Sequence, residues 1–368
     1  MKKNLLLAAA LIIIVGSIVF IQIKKPANTG STAPDVTVAP LPPTLAAAAQ
    51  DRTTALAQKS SQYKKAKELA NPSGFINTAP FKLSDLVGKK VILVDFWTYS
   101  CINCQRTTPY LNAWYQKYKD AGLVIVGVHT PEFDFEKNID NVTAAVQKAG
   151  IKYPVVLDNA MGTWNAYGNQ YWPHEYLIDI DGYVVHDHIG EGGYAETEQA
   201  IQAALKERSA TLGNTAVVPA GTANPANVIA LNDNGVQSPE TYFGAERNQY
   251  LGNGIQGKIN TQTLTIPTVQ QSNMLYLDGT WNFQYQYAES TTDKARIVYK
   301  YNAKHVYMVA SAKNPVTLKL TLDGQPHGTV TVQANQLYTL VDGTDYGAHT
   351  LQIEVEGAGL DAYTFTFG

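Results

Sequence analysis

The stretch Val91-Ile92-Leu93-Val94-Asp95-Phe96-Trp97-Thr98-Tyr99-Ser100-Cys101-Ile102-Asn103-Cys104 decides the fold. Its first seven residues form a continuous run of strand length, the pattern of a β-strand buried on both faces of a sheet. Two cysteines three positions apart follow directly, then a helix-like stretch through Leu111, Trp114 and Tyr118. Downstream, residues 123–128 read as a second buried strand and 138–149 as a helix closed by Gly150. Residues 175–180 and 183–186 read as a hairpin about Asp181-Gly182, and 197–208 as a final amphipathic helix. This order describes an α/β domain over residues 75–208, a mixed sheet with helices on both faces.

The chain has 368 residues, enough for two domains, and its formal charge of -3 gives no electrostatic footprint for a nucleic-acid partner. Only two cysteines occur, which excludes a framework of structural disulfides. Toward the N-terminus, Lys2 and Lys3 precede an apolar run over residues 5–23, closed by Lys24 and Lys25. That run is long enough for a single transmembrane helix and ends without the small residues of a cleavage site, so it predicts an uncleaved anchor. The default orientation leaves the remainder outside the cytoplasm, at the periplasmic or cell-surface side of the membrane. Residues 24–74 follow as a stalk, with a helix predicted over 45–70 and stopped by Asn71-Pro72.

Residues 209–236 read as a linker, and over residues 237–368 the hydrophobic period switches to two. Residues 281–287, 316–322, 351–356 and 363–367 alternate apolar and polar positions. Asp278-Gly279, Asp323-Gly324 and Asp342-Gly343 punctuate them as turn signals. The pattern predicts an all-β antiparallel sandwich, jelly-roll-like and without helices.

The C-x-x-C pair carries the chemistry. A zinc site needs further ligands, and neither a second cysteine pair nor a histidine pair lies close to this one in the sequence. Haem attachment needs a histidine after the second cysteine, where Gln105 stands. Thr98, three residues before Cys101, is a point for a peroxidase, but a second cysteine three residues on suits dithiol–disulfide exchange better. A helix starting at Cys101 aims unpaired N–H groups at its sulfur and favours the thiolate, the attacking species. Cys104, one turn later, is placed to resolve the mixed disulfide, leaving a Cys101–Cys104 bond. The exchange calls for no metal and no cofactor. Asp95 is a carboxylate in an apolar strand, costly unless it works or is paired, and is a candidate to exchange a proton with Cys104. Pro109 lies within the helix that follows. Pro173 precedes the next strand, and a cis Trp172-Pro173 bond would turn the Trp172 backbone toward the sulfurs, alongside the commoner reading of a trans turn proline.

These residues resemble the thioredoxin superfamily, and more closely the soluble part of the TlpA/DipZ-like thiol–disulfide oxidoreductases. Phe96-Trp97-Thr98-Tyr99-Ser100-Cys101-Ile102-Asn103-Cys104, Gly127-Val128-His129-Thr130-Pro131-Glu132-Phe133 and Tyr171-Trp172-Pro173 carry the resemblance. Ser238-Pro239-Glu240-Thr241-Tyr242-Phe243-Gly244 and Ala362-Tyr363-Thr364-Phe365-Thr366-Phe367-Gly368 extend it to that family's C-terminal β domain. The resemblance implies a thioredoxin-like fold, a cis peptide at Pro173 and a redox role outside the cytoplasm. The family's soluble part is typically joined to a multi-pass membrane domain resembling CcdA. This chain has one apolar span, so electrons crossing the membrane would come from a separate CcdA-like donor.

Trp97, Tyr99 and Trp172 are candidates for an apolar rim that receives a substrate protein, and His174 and Glu175 for groups that tune the sulfurs. His186 and His188 share a strand face, but no third metal ligand suggests itself. The tyrosines of the β domain suit a glycan-binding surface as well as simple strand packing. The leading expectation is an exchanger, reductive more than oxidative, acting on disulfides of exported proteins. A cell-surface binding module with a static Cys101–Cys104 bridge and a thiol peroxidase are the alternatives.

Overall fold

The computed structural model describes residues 43–214, 217–226, 228–229 and 235–368, with side chains from residue 52 onward. The apolar run over 5–23 lies outside the described residues, and among them no helix is long and apolar enough to cross a membrane.

Helix α1 spans Pro43–Gln62, with proline at its first position, where the missing N–H costs nothing. It stops eight residues short of the predicted 45–70 helix, because the chain then joins the sheet edge. Val184 N–H donates to Lys64 O at 2.9 Å and Ala66 N–H to Gly182 O at 3.0 Å. Propensity favours continuing the helix, but these edge bonds and the burial of Leu69 favour extended backbone. Lys59 is held by Asp179 (2.5 Å), Asp181 (2.9 Å) and Glu207.

Strands β1 (Gly74–Ile76), β2 (Val91–Trp97), β3 (Leu123–His129), β4 (Val155–Leu157), β5 (His174–Ile178) and β6 (Val184–Ile189) form one sheet, ordered β1-β4-β3-β2-β5-β6. β2, β3 and β4 are mutually parallel, whereas β1, β5 and β6 run antiparallel to their neighbours. All seven residues of β2 are buried. Leu93 and Trp97 pack with Trp114, Tyr118 and Ile201 on one face, and Ile92, Val94 and Phe96 with Leu69, Leu83 and Trp164 on the other. Helices α2 (Ile102–Tyr118), α3 (Ile139–Lys148), α4 (Gly162–Tyr167) and α5 (Tyr194–Thr211) complete this part, and α2 runs through Pro109. Asn138 caps α3 by accepting the Asp140 N–H at 2.8 Å.

The C-terminal region is one antiparallel sheet of nine strands, with no helix among its described residues. They are β7 (Thr241–Tyr242), β8 (Asn260–Leu264), β9 (Leu275–Phe283), β10 (Ala288–Ser290), β11 (Ala295–Ala312), β12 (Val316–Leu322), β13 (Gln325–Val332), β14 (Gln336–Glu356) and β15 (Leu360–Phe367). The two sheets expected of a sandwich are thus joined into one. The 18-residue β11 pairs with β9 over its first residues, with β15 over its last, and with β14 along its other edge. The continuous sheet encloses a core that includes Trp281, Tyr299, Met308 and Phe365. Asp323-Gly324, with φ of 51° and 79°, makes the expected tight hairpin turn. Asp278-Gly279 and Asp342-Gly343 instead lie inside β9 and β14. At Gly343 a Cβ would stand 2.4 Å from Lys304 O, so glycine there serves close strand approach beside an irregularity in β11.

The loop after β3 joins the two parts. Phe133 and Phe135 pack edge-on against Tyr363, with ring centroids 5.0 and 4.9 Å away, and Val309 closes the cluster. Arg247 pairs with Glu132 at 2.7 Å and lies 3.7 Å over the Tyr242 ring. Phe133→Ala should cost about 3 kcal/mol of stability through lost packing and the cavity left behind. Urea unfolding followed by circular dichroism should show a lower midpoint and a separation of the two parts into distinct transitions.

Candidate active site

Helix α2 begins where β2 ends, because Cys101 has extended backbone (φ −79°, ψ 123°) and Ile102 opens the helix. Cys101 is the N-cap residue and makes no side-chain cap bond, so the first N–H groups of α2 lack an intrahelical partner at the end where Cys101 stands. The Cys101 carbonyl accepts the Gln105 N–H at 3.1 Å. Cys104 lies one turn on and is buried. The thiols are unbonded and 3.3 Å apart, near enough to join with little movement.

The Trp172-Pro173 peptide is cis. Trp172 O faces Cys101 Sγ at 3.9 Å, and the indole N–H of Trp172 donates to Thr130 O at 3.1 Å. Cys101, Trp172, Tyr171 and Gln170 line a cleft of about 380 Å³, whose opposite wall comes from the β region through Glu240, Tyr242, Arg247, Thr364 and Phe367.

The other expected rim residues sit elsewhere. Trp97 and Tyr99 are 4% and 7% exposed and border a different groove, beside Pro109 and residues 334–337. They leave the cleft because β2 and its following turn direct them into the core around His129. His129 stacks on Tyr99 at 5.7 Å and meets Trp97 edge-on at 5.1 Å. Burial pushes its imidazole down to about 3, so it is neutral. His174 and Glu175 are likewise buried rather than turned to substrate. His174 bonds Asn169 through Nδ1 and Asp187 through Nε2, the latter at 3.3 Å. His186 lies 3.2 Å from Thr197 Oγ1. The one clustering of three carboxylates among the described residues, Asp179, Asp181 and Glu207, is filled by the Lys59 ammonium.

Beneath Cys104 the site is acidic and sealed. Asp95 is 1% exposed, its Oδ1 lacks a hydrogen-bond partner, and burial pushes its carboxyl up to about 8. Burial also pushes the Cys104 thiol well up, with hydrogen bonding to Cys101 and the charges of Cys101 and Asp95 adding to the effect. Glu175 is raised by burial and then by Asp95.

Glu136 was not expected in this group. Fully buried, it accepts from Ser100 Oγ at 2.6 Å and from the Glu132 and Phe133 N–H groups at 2.6 and 3.0 Å. It thereby ties the turn before Cys101 to the loop that holds the β region. The signal was a glutamate two residues into the polar side of Phe133-Asp134-Phe135-Glu136, which reads equally as a solvated loop charge.

Residues 28–205 match a family model described as Redoxin, and residues 238–368 one described as a thioredoxin like C-terminal domain. Protein DipZ of Mycobacterium tuberculosis is 38% identical over 306 residues, covering 82% of this chain and 43% of that protein. Thiol-disulfide oxidoreductase ResA of Bacillus anthracis is 36% identical over 126 residues, covering 34% of this chain and 67% of that protein. A thiol:disulfide interchange protein of the thioredoxin family from Chlorobium tepidum aligns in its solved structure with 23% identity and a TM-score of 0.34, over 39% of this chain and 97% of that one. The chain belongs to the thioredoxin-like thiol–disulfide oxidoreductase family. It spans less than half the length of the DipZ protein that it matches.

The Asp95 shift has a consequence for stability. The unfolded chain releases this proton near pH 4, while the native state keeps it until about pH 8. Stability therefore falls as pH rises between these values. Asp95→Asn should stabilise the protein little at pH 4 and by on the order of 5 kcal/mol at pH 8. Urea titrations at both pH values measure the difference.

Proposed function

We propose that this enzyme exchanges disulfides through Cys101 as the attacking thiol and Cys104 as the resolving thiol, acting reductively on exported proteins. The placement of Cys101 carries the reading: it is the N-cap of α2, borders the cleft, and lies beside both the Trp172 carbonyl and the Cys104 thiol. An extended substrate segment in the cleft would bring its disulfide to Cys101 Sγ, with Trp172 O available to its backbone N–H groups. Attack forms a mixed disulfide and releases one substrate thiol. Cys104 then attacks Cys101 Sγ, and its proton passes to Asp95.

The reductive direction is supported by the surroundings of Cys104. Strong oxidants of this kind stabilise their reduced form. Here burial and the neighbouring acid disfavour a second thiolate, so the dithiol gains no comparable stabilisation. We assign the apolar run over 5–23 as a membrane anchor holding both domains outside the cytoplasm, with reducing equivalents delivered by a separate CcdA-like membrane protein.

Cys101→Ser should abolish reduction of a protein disulfide such as that of insulin, followed by turbidity with a thiol reductant. Retained activity would end this reading. Cys104→Ser should accumulate a mixed disulfide visible as a mass increase equal to the bound thiol.

A further inference from the structure

Three ionisable residues stand in one row across the sheet. Asp95 of β2 is the register partner of Glu175 of β5, and Glu175 is the register partner of His188 of β6. Residues directly opposite in antiparallel strands point to the same face, with Cβ atoms about 5 Å apart. The face is that of α2 and α5, since Leu93, Trp97 and Leu177, two positions away along their strands, pack there with Cys104 and Ile201. The row therefore starts beneath Cys104 and ends on β6, the outermost strand, where His188 is half-buried.

Polar atoms along the row lack partners: Asp95 Oδ1, Glu175 Oε2 and His188 Nε2 are all buried without a hydrogen bond. Adjacent carboxyl groups in an apolar interior cannot both ionise cheaply, so such a pair holds at least one proton. Beyond Asp95 the row meets Gly127 of β3, which adds no side chain.

The surrounding groups do not substitute for the row. Tyr153, before β4, and Tyr194, on α5, are phenols held protonated by burial. Thr197 of α5 hydrogen-bonds both His186 and Glu175, leaving Glu175 Oε2 as the free oxygen of that carboxyl, and Tyr194 is bonded to Thr107 of α2. Arg106 of α2 is paired with Glu191 at 3.1 Å and lies against Tyr307 of the β region. Asp187 of β6 is engaged with His174.

We propose that Asp95, Glu175 and His188 form a proton relay across three adjacent strands, linking the sealed Cys104 thiol to the edge of the sheet. The inference rests on the exchange described above. When Cys104 resolves the mixed disulfide, the Cys101–Cys104 bond forms and the bond from Cys101 to substrate breaks. The electron pair leaves on the substrate sulfur, which takes a proton from solvent. The Cys104 proton goes to Asp95, shifts to Glu175, and leaves through the His188 imidazole. Cys104 has no solvent contact of its own to receive it. Asp95 is the member of the row whose charge acts on the Cys104 thiol, whereas Glu175 and His188 act through it.

The test is stopped-flow oxidation of the reduced full chain by glutathione disulfide between pH 5 and 9, resolving mixed-disulfide formation from its resolution. In Glu175→Gln the ratio of second-step to first-step rates should fall about ten-fold or more, and the second-step pH profile should lose one ionisation. In His188→Ala the same ratio should fall and recover with added imidazole. A second step in Glu175→Gln with the wild-type rate and pH profile would overturn the relay. A His188→Ala defect that imidazole does not restore would overturn its outer end. Failure to form any mixed disulfide at Cys101 in the wild type would instead defeat the exchange itself.

Discussion

The docking of the start of α2 against the end of β2 is the constraint on which the rest depends. β2 lies at the centre of a mixed sheet with every residue buried, so it fixes where the chain emerges. The turn Thr98-Tyr99-Ser100 is buried as well, and Glu136 fastens it by accepting the Ser100 hydroxyl. Cys101 is consequently placed at the helix start by interactions on the strand side and the loop side together. One turn later Cys104 has to point into the sheet, toward Asp95. The difference in surroundings between the two thiols therefore follows from Cys101 standing at the helix end as its extended N-cap while Cys104 lies one turn deeper.

The β region acts on this centre from the opposite side. Its sheet is closed through β11, whose two halves pair with different strands, and this presents β7 and β15 toward the loop after β3. Phe133 and Phe135 bury their rings against Tyr363, while Glu132 meets Arg247 and Tyr242. Glu132 and Glu136 belong to the same short loop. The residue that bonds the β region and the residue that braces the turn before Cys101 thus stand four positions apart in one loop. A rigid connection of this kind makes the second wall of the cleft part of the same structure as the dithiol.

Much of the first domain was legible in the sequence because its signals have few competitors. A seven-residue run from Val91 to Trp97, ending in C-x-x-C, admits hardly any other placement than a central strand leading into a helix. The cis Trp172-Pro173 bond followed from the resemblance rather than from the residues. Signals that depend on tertiary pairing were harder to interpret. The alanine-rich segment after residue 45 favours helix locally, yet the edge bonds of Lys64 and Ala66 end it. Asp342-Gly343 has turn chemistry, but a 21-residue strand absorbs it because Lys304 passes too closely for a side chain. Trp97 and Tyr99 have the character of a binding rim, and the core around His129 claims them instead. The cleft itself was invisible, being built from residues about 140 positions apart in sequence.

The cost of the buried acids bears on why this arrangement is retained. Asp95 and Glu175 carry oxygens with no partner in a region where an unmade hydrogen bond is expensive. Apolar residues of similar size would pack there without that cost, as buried polar sites in general can be replaced with little loss. Glu175 has one bond to Thr197 of α5 and Asp95 Oδ1 has none, against the three that Glu136 accepts, so they hold the fold less than Glu136 does. What they share is position: both face Cys104, and a neutral carboxyl group there can both give and accept a proton at a pH where an exposed one could only accept. A stability penalty concentrated beside one buried thiol is better explained by proton traffic at that thiol than by packing.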